Sequence, residues 1–116
     1  KEIKDKYKIK IISAITIKNN NDLDKYKGYK NISEIVLFDG IGYEKSLGFN
    51  HKIVKNVPKS ICRMIAGNIN YKDRLDKYKK IADIIDISGS LETLGSKDIS
   101  KINVFLENIK KLNDEN

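Results

Sequence analysis

The stretch ICRMIAGNINYKDRLDKYKKIADIIDISGS, residues 61–90, holds two short apolar runs separated by a polar segment. The first run, residues 61–66 (ICRMIA), ends in Gly67-Asn68-Ile69-Asn70. The second, residues 82–87 (ADIIDI), ends in Ser88-Gly89-Ser90-Leu91-Glu92. Both are rich in isoleucine and too continuous for strands with one face in water, which is the pattern of strands covered on both faces in a parallel sheet. Between them, residues 71–81 carry Leu75 and Tyr78 in a rhythm that continues to Ala82, as on a helix. Strand, helix and strand in that order make a parallel pair joined by a right-handed crossover.

The same unit repeats upstream. Residues 9–17 (IKIISAITI) and 32–38 (ISEIVLF) are two further apolar runs of strand length. Residues 20–27 offer Asn and Asp capping residues, then Leu23 and Tyr26, then Gly28 as a stop. A shorter helix is expected at 51–57, ending before Pro58. Residues 97–112 give the clearest helix, with Ile99, Ile102, Phe105, Leu106, Ile109 and Leu112 on one stripe and Ser96 and Asp98 placed as N-cap and first-turn acid. Asp-Lys-Tyr-Lys occurs at residues 5–8, 24–27 and 76–79, each time just upstream of an expected strand. Chance lysine usage accounts for this as well as a helix end does, with lysines favoured by the dipole and tyrosine packing toward the sheet.

Strand and helix thus alternate four times, giving an α/β chain with one domain over residues 1–116. A four-stranded parallel sheet with helices on one face leaves its other face bare. A half-barrel has that defect, and closure by a second half repairs it. A complete barrel of this kind needs roughly 200 residues or more. The expectation is a (βα)₄ half-barrel whose open face is covered by the missing half or by a second copy.

Lysine and arginine exceed aspartate and glutamate to give a net charge of +7. The lysines are spread along the chain rather than gathered in a block or stripe, so nucleic acid is not an expected partner. A general positive field that attracts a phosphorylated, carboxylated small molecule fits the same charge. Cys62 is the only cysteine, which excludes an intrachain disulfide and fits a reducing, cytoplasmic compartment. No apolar run approaches the roughly 20 residues of a membrane span, and no signal sequence is visible. Nothing has metal-ligand spacing, and no cofactor is expected.

In parallel α/β proteins ligands sit at the carboxyl ends of the strands. Gly67 and Gly89 let backbone N–H groups approach an anion, while Asn68, Ser88 and Ser90 add side-chain donors. The Leu91-Glu92-Thr93 stretch is expected to open a short helix whose N-terminus favours negative charge. Two ordinary glycine turns account for these residues equally well. Asp39 ends the second run and is a candidate general acid or base, with an N-cap or a loop salt bridge as the alternative. Asp86, an acid inside an apolar run, needs a structural hydrogen-bond partner or a ligand. Cys62 is expected in the core, His51 on the surface of the short helix with a substrate contact as the alternative, and Arg63 paired with Glu34 at the closed end of the barrel.

Ile65-Ala66-Gly67-Asn68-Ile69-Asn70, followed by Ile85-Asp86-Ile87-Ser88-Gly89-Ser90-Leu91-Glu92-Thr93, resembles the last two strand-and-turn motifs of phosphoribosylanthranilate isomerases, approximately LAGGLNP and VDVSSGVET. Leu37-Phe38-Asp39 resembles that family's LLD on strand six, and IISAITIKNNNDL resembles its fifth strand and the segment after it. The resemblance runs in order over nearly the whole chain. It implies the C-terminal half of a TIM barrel and an Amadori rearrangement in tryptophan biosynthesis, in which N-(5-phosphoribosyl)anthranilate becomes 1-(2-carboxyphenylamino)-1-deoxyribulose 5-phosphate. It makes Asp39 the general acid that protonates the ribose ring oxygen. It places Gly67, Asn68, Ser88, Gly89 and Ser90 on the phosphate turns and Asp86 near the substrate.

The family's second turn glycine is Asn68 here, its SSG order is Ser88-Gly89-Ser90, and its glycine-rich loop after strand six is matched loosely by Gly40, Gly42 and Gly48. The family's general base, a cysteine on the first strand, and its anthranilate-binding arginine on the second precede the matched region. Cys62 is not that base. A non-catalytic phosphate-binding or assembly module, or another ribose-phosphate barrel enzyme, are the competing readings.

Overall fold

The computed structural model describes residues 1–40 and 51–114. The loop expected over residues 40–50 lies, from residue 41 onward, outside the described residues. Helix α1 (Glu2–Tyr7) precedes four strands, β1 (Ile12–Thr16), β2 (Ile35–Asp39), β3 (Cys62–Ile65) and β4 (Ile84–Ile85). They form one parallel sheet in sequential order, β1-β2-β3-β4. A small antiparallel hairpin, β5 (Glu92–Thr93) and β6 (Ser96–Lys97), leads into the long helix α2 (Ile99–Asp114). All four parallel strands fall within the apolar runs read from the sequence, except that β2 extends one residue to include Asp39.

The two faces of the sheet differ sharply. Ile15, Val36, Phe38 and Ile65 point to the helical side, each at most 3% exposed. Each such burial contributes roughly 1.5–3 kcal/mol. Ile12, Ala14, Ile35, Leu37, Cys62, Met64 and Ile84 alternate to the other face and remain half or fully exposed. Cys62 is therefore half-exposed rather than in the core, because the face it occupies is the bare one.

The connections are tighter than expected. Residues 20–28, 51–56 and 75–78 are 3-10 helices. The buried residues of the first and third, Leu23 with Tyr26 and Leu75 with Tyr78, are spaced by three, and Val54 of the second has the same spacing to Val57 just past its end. Side chains at i and i+3 eclipse in a 3-10 helix, so a two-residue apolar edge is enough to dock each segment on the sheet. The expected helix over 71–81 contracts to Leu75–Tyr78 for this reason. Of the Asp-Lys-Tyr-Lys repeats, Tyr26 and Tyr78 pack inward, whereas Tyr7 is 60% exposed.

Helix α2 docks by Phe105, with Ile102, Ile109 and Leu112 half-buried, while Ile99 and Leu106 face outward. Its cap is Asp98, which accepts from the N–H groups of Ser100 at 2.9 Å and Lys101 at 3.3 Å. Ser96, the expected cap, lies in the hairpin instead.

Arg63 does not pair with Glu34. Arg63, 2% exposed, reaches Asp83, Nε to Oδ2 3.4 Å, and the same carboxylate oxygen accepts the Arg63 N–H at 3.0 Å. Glu34 bonds Lys4 and accepts the Ile11 N–H at 2.5 Å. Both acids do one job: a carboxylate just upstream of one strand caps the start of the preceding strand. Sequential pairing leaves each acid beside its own neighbour.

Candidate functional site at the strand ends

Strand β2 ends in Asp39, which alternation places with Ile35 and Leu37 on the open face of the sheet, half-buried. Its carbonyl accepts the Ile17 N–H at 2.8 Å, and the Phe38 carbonyl accepts that of Ala66 at 3.0 Å, so the tip of β2 is held from both sides. Strand β3 runs beside it and leaves the sheet through Gly67, at φ 90°, and Asn68, at φ 54°. A Cβ on Gly67 would stand 2.9 Å from Asp39 Oδ1 and 3.1 Å from the Gly40 nitrogen. Glycine is required there twice over, by its left-handed backbone and by the closeness of the acid. Asn68 occupies the next left-handed position, which asparagine tolerates better than most side chains. That accounts physically for asparagine where the resembling family has a second glycine.

The turn after β4 lies alongside. Strand β4 pairs only through Ile85, so Asp86 sits just beyond the ladder rather than inside it, exposed, with its N–H donating to the Ile65 carbonyl at 2.8 Å. Among the described residues β4 is an edge strand paired with β3 alone, and β3 turns away at Gly67. Ser88 is exposed, and Gly89–Leu91 form one 3-10 turn. The expected short helix at Leu91-Glu92-Thr93 is absent, because Glu92 and Thr93 pair with Lys97 and Ser96 across a tight turn at Leu94 and Gly95, both at positive φ. Ser90 Oγ accepts the Tyr71 N–H at 2.7 Å, tying the turn after β4 to the turn after β3.

Asp39 and Gly67 are thus brought into contact, and the Ser88–Ser90 turn is fastened to the segment that follows Gly67. Asp86 lies exposed at the sheet edge, one residue past the end of β4.

Sequence reasoning missed Lys97. Its ammonium donates to Ser88 Oγ at 3.0 Å and to the Ser88 carbonyl at 3.1 Å, and pairs with Glu92 at 3.2 Å. The only sequence signal was Leu94-Gly95, a turn pair that folds Lys97 back beside Ser88. Lys101 adds a second cation, bonded to the Glu92 carbonyl at 2.6 Å. The Thr93 hydroxyl, then the N–H groups of Lys101 and Ser100, hold the Asp98 carboxyl below its ordinary value.

His51 also differs from expectation. It is half-buried, with Nε2 2.9 Å from the Gly67 carbonyl and its ring edge-on to Tyr78. Burial, then the Asp73 carboxylate that accepts its hydroxyl at 2.9 Å, push the Tyr78 phenol upward. A groove of about 370 Å³ between residues 72–76 and α2 is lined by none of these candidate residues.

The family model described as N-(5'phosphoribosyl)anthranilate (PRA) isomerase matches residues 1–108. The N-(5'-phosphoribosyl)anthranilate isomerase of Thermoanaerobacter pseudethanolicus is 32% identical over 103 residues, which cover 84% of this chain and 49% of that relative. The one from a Sulfurihydrogenibium species is 33% identical over 112 residues, covering 89% of this chain and 54% of the relative. The crystal structure of phosphoribosyl anthranilate isomerase from Thermotoga maritima superposes with a TM-score of 0.75 at 20% identity, over 94% of this chain and 55% of that one. The sequential four-stranded sheet is accordingly an α/β half of a TIM barrel. The chain spans about half the length of the curated relatives it matches. On a family match that runs from Lys1 to residue 108, this chain belongs to the N-(5'-phosphoribosyl)anthranilate isomerase family.

Proposed function

We propose that this chain is the C-terminal half of an enzyme that converts N-(5'-phosphoribosyl)anthranilate to 1-(2-carboxyphenylamino)-1-deoxyribulose 5-phosphate, a cytoplasmic step of tryptophan biosynthesis. The observation that carries this reading is the packing of the Asp39 carboxyl group against the Gly67 turn, 2.9 Å from where a Cβ would stand. An acid and an anion-binding turn at one mouth suit a phosphorylated sugar whose ring must open. Asp39 donates its proton to the ribose ring oxygen as the C1–O bond breaks, leaving an iminium at C1. Loss of the C2 proton to a base on the other half gives the enolamine, which tautomerises to the ketose. Gly67, Asn68, Ser88, Gly89 and Ser90 hold the phosphate by N–H and hydroxyl groups, with Lys97 adding charge beside Ser88. Asp86 approaches the sugar from the edge strand.

The bare face of the sheet supports the other part of the proposal. Ile12, Leu37, Met64 and Ile84 line it, and among the described residues both β1 and β4 have an unpaired edge. A second four-stranded half covers the apolar face and satisfies both edges at once. The occupant proposed is the family's N-terminal half, which brings the base and the anthranilate-binding arginine.

The test is complementation. This chain is co-expressed with the N-terminal half of the Thermoanaerobacter pseudethanolicus relative, and loss of anthranilate-substrate fluorescence is followed. Isomerisation is expected, with Asp39→Asn lowering kcat by about 10²-fold or more. Full activity in Asp39→Asn removes the assigned acid. Phosphate-ester binding without turnover in any complemented form means a binding module instead.

A further inference from the structure

His51 begins the 3-10 turn His51–Asn56, and the reaction just proposed gives it no part. Its surroundings are nevertheless specific. Nε2 lies 2.9 Å from the Gly67 carbonyl and 3.4 Å from that of Ala66. The ring meets Tyr78 edge-on, with centroids 5.6 Å apart and planes at 86°. Tyr78 is 3% exposed and its hydroxyl donates to Asp73 at 2.9 Å, so the wall behind the imidazole is fixed. A carbonyl oxygen only accepts, so the contact is a hydrogen bond when Nε2 carries the proton.

The consequence lies in the planarity of the peptide group. In a trans peptide the N–H points opposite to the C=O. The Gly67 carbonyl shares its peptide with the Asn68 N–H, and the Ala66 carbonyl shares its peptide with the Gly67 N–H. Fixing these two carbonyls from one side aims both N–H groups to the other. Gly67 and Asn68 are both left-handed, at φ 90° and 54°, a conformation that costs energy at Asn68 and needs an external hold. Successive N–H groups in such a turn make an anion-binding concavity.

We infer that His51 is a positioning residue, which holds the Ala66 and Gly67 carbonyls and so directs the Gly67 and Asn68 N–H groups at the oxygens of a phosphate ester. The inference rests on the phosphate reading of that turn. It adds a residue outside both turn motifs.

The experiment uses the full chain, ¹⁵N-labelled, with ribose 5-phosphate as probe. In wild type the imidazole is expected as the Nε2–H tautomer, and the Gly67 and Asn68 amides are expected to be ordered and to shift on titration. His51→Phe keeps the ring edge against Tyr78 and removes the donor. It is expected to weaken binding about three- to tenfold, the worth of one or two hydrogen bonds, and to loosen the two amides. His51→Gln restores a donor and is expected to recover most of both effects. If His51→Phe does not fold, His51→Met takes its place against His51→Gln. An Nδ1–H tautomer in wild type, or unchanged binding and amide order in the variant without a donor, overturns the inference. Absence of ribose 5-phosphate binding in wild type removes the phosphate reading of the turn. Loosened amides in His51→Phe, restored in His51→Gln, would then still support the hold on the turn.

Discussion

Replacing Gly67 by alanine tests the strand-end geometry most directly. At φ 90° the backbone is left-handed, which costs an alanine roughly 1–2 kcal/mol. The added methyl then meets Asp39 Oδ1 at 2.9 Å, the Gly40 nitrogen at 3.1 Å and Gly40 Cα at 3.7 Å. The carboxylate is the end of a side chain and can rotate away. The Gly40 backbone cannot, because the tip of β2 is bonded through the Phe38 and Asp39 carbonyls. Overpacking against a fixed backbone adds roughly 1–3 kcal/mol. The total, about 2–5 kcal/mol, is a large part of the roughly 5–15 kcal/mol that holds a domain folded. With a urea slope of about 2 kcal/mol/M, the unfolding midpoint is expected to fall by about 1–2.5 M. Gly89→Ala is the control: nothing lies within 4 Å of where its methyl would stand and its φ is not left-handed, so a change within about 0.5 kcal/mol is expected. Adding Asp39→Ala to Gly67→Ala relieves only the carboxylate contact, and is expected to return less than about 1 kcal/mol, the smaller part of the overpacking cost. A Gly67→Ala midpoint equal to that of Gly89→Ala would refute the argument, and full recovery in the double variant would place the clash on the acid alone.

Other outcomes rest on the same contacts. Asp83→Ala leaves the buried Arg63 without its carboxylate; because Asp83 itself is about half exposed, a cost of about 1–3 kcal/mol in urea unfolding is expected, more than for Arg63→Met, which removes the buried charge itself. The Lys4 side chain, then the Ile11 N–H, hold Glu34 at about 2 against an ordinary 4.5. A carboxylate depressed in the fold contributes fully above about pH 4.5 and loses that contribution as pH falls through about 2, so Lys4→Met is expected to flatten the acid limb of stability between about pH 5 and 2. Asp98→Ala removes the α2 cap and is expected to cost about 0.5–2 kcal/mol, read by urea unfolding monitored at the helical circular-dichroism band.

The alternation of strands and connections was legible because it depends on neighbouring residues. Ile-rich runs too continuous for a half-wet strand mark burial on both faces, and β1 to β4 lie inside those runs apart from Asp39, which joins the end of β2. The turn at Gly67 was legible for the same reason, since glycine after an apolar run announces a backbone that other residues resist. The type of helix was harder. Pairs such as Leu75 and Tyr78 fit both a 3.6- and a 3.0-residue turn over so short a span, and docking on the sheet selected the tighter one.

Sequence alone therefore determined the parallel α/β plan, the residues at the strand ends and the incompleteness of a sheet with one bare face. Only the tertiary structure decided the partners: Asp83 rather than Glu34 for Arg63, Lys97 beside Ser88, Ser90 with Tyr71, and His51 on the Gly67 carbonyl. The division has one physical cause. Periodicity and turn chemistry act between residues a few places apart, whereas a hydrogen bond between distant segments exists only after strand register and loop path have set two groups within about 3 Å of each other.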